Sequence, residues 1–327
     1  MALARSLSLK SSLKTDPLSP GFIVFPSLLH RLLVAASILL GAWVLATAAP
    51  ALSSADGSTA PTLMMAHGGF ISALIVVLVA ALPILVLSVI CSSAGNPLTG
   101  LFTLCTSLWI LSAQGDTIDG WIRRTSANLP GDYGSLALES IIWLALLTGF
   151  VMIICAARPR VRYWLPLLST TEHLGEPMTL RRKWLPALVS GLITAIVGGV
   201  IASFLLRTPD KGQIIGGLIL AFLIGGLVGD MVSSFLFQKH PANPMGILIA
   251  PTLVAITGYI ITAFSYSDST DFLQAYFNTR AAGLALALPI DYASAGVVGA
   301  ALGAGWSQVM LHGEQPQGAE ATPWAGR

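Results

Sequence analysis

The chain has 327 residues, 54% of them hydrophobic and 10% charged, with a mean hydropathy of +0.78. Soluble domains carry about 25% charged residues, so water is not the solvent for most of this surface, and a formal charge of +2 offers nothing to a nucleic acid. Three cysteines without CxxC spacing, Cys91, Cys105 and Cys155, and five scattered histidines leave neither a disulfide framework nor a metal site.

In chain order, residues 1–28 read as a disordered, cytoplasmic lead-in. Apolar blocks follow at 31–49, 69–91, 97–113 and 133–156, each long enough or nearly so to cross a hydrocarbon core as a helix. The blocks are too long and too uniformly apolar for barrel strands, which alternate. Residues 157–184 form a basic cytoplasmic loop with Trp164 and Trp184, a composition suited to a membrane surface. Four further blocks lie at 185–206, 213–237, 245–265 and 287–309, the last interrupted by Pro289 and Asp291. The tail 310–327 is rich in Gln, Gly, Pro and Ala and is expected to be disordered. The fold expected is an all-α integral membrane bundle of about eight transmembrane helices.

Lysine and arginine set the orientation. With the N-terminus cytoplasmic, 12 basic residues fall inside and 5 outside. Both termini are then cytoplasmic, as in a protein of the bacterial inner membrane. Residues 1–48 also fit a secretory signal, with Ala46-Thr47-Ala48 as the cleavage site. The length of the apolar stretch favours a retained helix.

Two halves repeat. Leu129-Pro130-Gly131-Asp132-Tyr133-Gly134-Ser135 recurs as Leu288-Pro289-Ile290-Asp291-Tyr292-Ala293-Ser294, with five of seven positions identical. Upstream of each copy stands an acidic pair, Asp116 with Asp119 and Asp268 with Asp271, and further upstream Asn96-Pro97 and Asn243-Pro244. The order is the same in both, at offsets of 147, 152 and 159 residues. A four-helix repeat over 29–156 and a second over 185–309 would run parallel, related by an axis along the membrane normal. By this correspondence the last crossing begins at Pro289, residues 272–288 form an outer or re-entrant segment, and Asp291 lies at the outer edge like Asp132.

The outer face would then gather Asp116, Asp119, Asp132, Asp268, Asp271 and Asp291 with Arg124 and Arg280. Such a set could bind a cation or a cationic solute. It could equally be structural, since Asp at a helix start accepts free N–H groups and complements the macrodipole. Pro130 and Pro289 would set the entry turns, and Tyr133 and Tyr292 would anchor at the headgroups. Asp230 lies deep in the sixth block among glycines, and Glu139 about two turns into the fourth, nearer the interface. An acid at that depth costs about 2.5–3.5 kcal/mol on insertion scales, so it faces the bundle and has a function or glues helices together. Glycines at small-xxx-small spacing in the fifth, sixth and eighth blocks read as tight helix packing.

No metalloprotease, nucleophile-elbow, phosphate-loop or dinucleotide motif occurs in a suitable context. No catalytic residue, cofactor or metal is expected. The leading expectation is a transporter or channel-like protein with its pathway between the repeats, Asp230 inside it and the outer carboxylates at its entrance, taking a small solute or ion at its extracytoplasmic face. The alternative is a non-catalytic membrane subunit or scaffold docking a protein partner there. The lipid bilayer is a partner in either case.

Overall fold

The computed structural model of the protein describes residues 20–55, 57, 59–60, 62–125, 129–164, 184–237, 244–278 and 283–312. Every apolar block is helical: α1 (Pro20–Ala48), α2 (Gly69–Ala94), α3 (Pro97–Gln114), α5 (Leu129–Trp164), α6 (Trp184–Leu205), α7 (Lys211–Leu236) and α8 (Pro244–Ser265). Two short helices, α4 (Ile118–Arg124) and α9 (Ser269–Phe277), follow α3 and α8. The last block comprises α10 (Pro289–Asp291), a π-helical turn (Tyr292–Gly296) and α11 (Val297–His312). The described residues contain no strand, only one isolated bridge between Ser53 and Thr59.

Among the described residues six helices are long and apolar enough to cross a membrane, and a seventh crossing results if α3 and α4, bent by 53°, count as one. The eighth block is divided by the π turn, leaving 16 residues in α11. Side-chain size is inverted relative to a water-soluble core. Along α6 the large residues Leu188, Leu192, Ile196, Val200 and Phe204 recur every fourth position and are exposed, while Gly191, Thr194, Gly198 and Ala202 are buried. A fourfold spacing keeps large side chains on one face, where lipid rather than water covers them, and the small face lets backbones approach.

Helices α1, α2 and α3 pack on one another, and α6 packs on α7 and α8. Helix α2 also lies against α5, and α7 against α11. The two groups join where α5 runs along α8 and where the π turn and α11 meet α3. Several glycines make the seams close. A Cβ on Gly303 would stand 2.0 Å from the Leu223 carbonyl, and one on Gly226 2.4 Å from that of Ala300.

Helix α5 continues past 156 to Trp164, so Arg158 and Arg162 belong to a helix and not to the expected loop. Their guanidinium groups donate to the carbonyls of Ser92, Ser93 and Gly95 at 2.7–3.0 Å. They thereby satisfy and complement the C-terminus of α2, whose last carbonyls have no partner within the helix. The rest of that loop (165–183), the tail after His312 and the first 19 residues lie outside the described residues.

Residues 283–288 enter the bundle without forming an α-helix, after a 3₁₀ turn at Gly283–Ala285. Backbone of this kind survives in a membrane protein only where its carbonyls find donors. Three tyrosines supply them. Tyr292 donates to Leu284 O at 2.8 Å, Tyr133 to Ala285 O at 3.4 Å and Tyr259 to Ala287 O at 2.6 Å. All three rings are buried. Tyr133 and Tyr292 are therefore not headgroup anchors, as their place at a helix start suggests. They face inward because the kinked segment needs their hydroxyls.

Candidate functional site

At the end of the bundle that carries α4 and α9, two hollows meet at Asp119. One, of about 380 Å³, is lined by Asp116, Thr117, Asp119, Gly120, Arg123 and Arg124. The other, of about 240 Å³, lies between the α6–α7 turn and α9, with Arg207, Thr208, Tyr276 and Phe277 among its walls. The first falls within the size range of small-molecule sites, about 300–1,000 Å³.

Asp116 stands at the corner between α3 and α4. It accepts from the Thr117 N–H at 2.7 Å and forms an ion pair with Arg124 at 2.7 Å. Asp119, in the first turn of α4, accepts a short hydrogen bond from the Tyr276 hydroxyl of α9. Burial and the Asp119 carboxylate push the Tyr276 hydroxyl well above its ordinary pKa, so it stays protonated and acts as the donor.

From the first hollow a series of polar contacts leads inward. Lys211 Nζ donates to the Asp116 carbonyl at 3.1 Å and to Asp291 Oδ1 at 2.8 Å. Ser112, near the end of α3, donates to the same Oδ1 at 2.5 Å. The other carboxylate oxygen accepts from the Leu288 N–H at 2.9 Å, closing the first turn of α10. Asp291 thus caps its helix, as one of the two sequence readings held, and also ties α10 to α3 and α7. It is 0% exposed, whereas Asp132 is half-buried. The last block begins at Pro289. The Asp291 carboxylate is enclosed where that of Asp132 is not, because Lys211 supplies a countercharge from the start of α7.

The other expected residues divide. Asp268 is the N-cap of α9 and accepts from the Asp271 N–H at 2.8 Å, and the Asp271 carboxylate accepts from Ser267. Both acids are exposed and line neither hollow. Arg280 lies outside the described residues. Asp230 is 2% exposed and accepts a short hydrogen bond from Ser307, joining α7 to α11. The glycines about it meet backbone: a Cβ on Gly229 would collide with Thr194 and Ser190 of α6. Glu139 is more enclosed than its place near the interface suggests, at 1% exposed. Its Oε1 accepts from the Leu63 N–H at 3.1 Å and from Trp143 Nε1 at 3.3 Å.

Sequence reasoning missed Lys211, Ser112 and Tyr259. A signal existed for Lys211 alone. It is the first residue of α7 after the N-cap Asp210, where a cation opposes the macrodipole, so its place there asks for a carboxylate. Ser112 and Tyr259 are a small hydroxyl and an aromatic within apolar helices, indistinguishable from packing residues. Comparison with protein-family models, with curated proteins and with solved structures finds no match.

Proposed function

We propose that the protein is a membrane transporter or channel-like protein that takes a small charged solute at the α4/α9 end and passes it between two parallel four-helix repeats. One observation carries this reading: the unbroken series Arg124, Asp116, Lys211, Asp291 and Ser112, which leads from an open hollow into the seam between the two helix groups. A polar series buried at a helix interface is costly in lipid and is kept where charge must be handled. The π turn immediately after Asp291 adds to the case, because such turns concentrate at functional sites.

Eight crossings in a four-plus-four arrangement underlie the reading. In each half a helix opened by Asn-Pro or its Pro is followed by a short helix with an acidic first turn and then by the Leu-Pro-x-Asp-Tyr start. The fourth unit of each half packs on the third unit of the other. The lysine and arginine distribution makes the α4/α9 end extracytoplasmic. Asp230 is a helix-packing contact in this arrangement, with Ser307 as its partner, and the pathway's charged residues are Lys211 and Asp291.

Osmotic swelling of proteoliposomes tests the proposal with a panel of inorganic ions, amino acids and sugars. Swelling for a subset of charged solutes, lost in Asp291→Asn protein that remains monodisperse, is the expected result. Swelling no different from empty liposomes across the panel would sink it. A second reading, a scaffold that docks a protein partner at the same end, draws on Asp116 and Asp268 being engaged in an ion pair and a cap. A stoichiometric chain co-purifying in mild detergent, with no swelling activity, would favour it.

A further inference from the structure

A carboxyl group removed from water keeps its charge only where donors or cations surround both oxygens; otherwise it holds a proton. Glu139 is enclosed at 1% exposure, and its two oxygens are treated differently. Oε1 receives the Leu63 and Trp143 N–H groups, whereas Oε2 is buried with no hydrogen-bond partner. No lysine, arginine or histidine forms an ion pair with it among the described residues.

The donor Leu63 does not belong to a long helix. It sits in the α1–α2 connection, whose described residues hydrogen-bond among themselves, Ala60 N–H to Leu52 O at 3.0 Å and His67 N–H to Ser53 O at 2.9 Å, and pack against α1 and α2. Gly57 and Gly69, with φ of +80° and +79°, flank the Leu63 turn in a backbone region that other residues rarely adopt. Leu63 and Thr62 are buried, with Thr62 and Met64 lying beside the Glu139 carboxyl. The Leu63 stretch therefore meets α5 at an acid whose Oε2 has no hydrogen-bond partner.

We propose that Glu139 is a proton-binding site, and that its ionisation releases residues 62–68 from α5. With the proton on Oε2 the carboxyl is neutral, tolerates its enclosure and still accepts from Leu63. Once the proton leaves, a full charge remains without a countercharge, and the connection swings away to admit water. Loss of a proton opens the contact and its return closes it. The groups turned toward Glu139 are neutral dipoles and bring no countercharge. The connection contributes Thr62, Leu63 and Met64, and its His67 is exposed. Helices α2 and α3 carry no charged residue. From α8 comes the Tyr259 phenol, which is within electrostatic range of both Glu139 and Asp291. Asp291 is already neutralised by Lys211.

Hydrogen–deuterium exchange of the purified full chain, followed across acid to alkaline buffer and corrected for intrinsic exchange, reads the release directly. Peptides covering 62–68 lose protection several-fold as pH rises in the wild type, while Glu139→Gln, which keeps an oxygen for Leu63 and never ionises, stays flat. An identical pH dependence in Glu139→Gln, or none in the wild type, overturns the proposal. Infrared difference spectra give a second measure that needs only well-folded wild-type protein. A protonated-carboxyl band that titrates together with the loss of protection supports the site, and protection that changes without such a band refutes it. Neither measurement uses a solute, so they stand or fall apart from the swelling assay.

Discussion

Asp291 has both carboxylate oxygens spoken for by three donors from three directions, and one of those donors is a cation. Removing the cation alone leaves a buried, unpaired charge, a change that costs about 3–5 kcal/mol in folded proteins. Lys211→Met should therefore lower the melting temperature in detergent sharply. The double variant Lys211→Met/Asp291→Asn should recover most of the loss, because asparagine still accepts from Leu288 and can meet Ser112. If the double variant melts no higher than the single one, the ion pair is not what holds α3, α7 and α10 together. At this scale a helix start is legible in the sequence and the direction of its side chains is not. The repeated Leu-Pro-x-Asp-Tyr motif correctly marked two helix starts at Leu129 and Leu288. It could not reveal that its tyrosines face inward, because their acceptors are carbonyls that every residue carries.

Helix positions were legible because an apolar block of spanning length leaves the backbone one main way to satisfy itself. The interruptions were legible only in part. Pro289 and Asp291 flagged a break in the last block, but nothing in Tyr292–Gly296 distinguishes a π turn from an α turn. The glycines in the fifth, sixth and eighth blocks did report close packing, and the structure separates those that matter from those that do not. A Cβ at Gly303 meets the Leu223 backbone at 2.0 Å, whereas one at Gly216 meets nothing within 4 Å. Gly303→Ala should force α11 from α7 and lower the melting temperature by several degrees. Gly216→Ala in α7 should be neutral or raise it, since alanine is the better helix former. Equal effects in a thermal-shift assay would mean the α7–α11 seam is looser than it appears.

Across the whole molecule, the α4/α9 end and the end marked by Arg158 and Trp184 should lie on opposite sides of the membrane. Single cysteines placed at Thr117 and Ser267, in a background lacking Cys91, Cys105 and Cys155, should react with a membrane-impermeant thiol reagent from one side. Cysteines at Trp164 and Phe237 should react only after the membrane is opened. Labelling of all four from one side would refute the arrangement of crossings. The expected number and direction of crossings rest on apolar length and on basic residues, both properties of the chain alone. The contact between the two helix groups includes pairings such as Tyr133 with Ala285, 152 residues apart, which no local pattern announces. That distance also matters during synthesis. Tyr133 is made long before the carbonyl it serves, and residues 283–288 have no such donor of their own until Tyr292 follows them. The nascent chain must keep this stretch hydrated or headgroup-bound until the earlier helices are waiting to receive it, so truncation or delay before α8 docks on α5 should leave a product that quality-control proteases recognise by its exposed backbone.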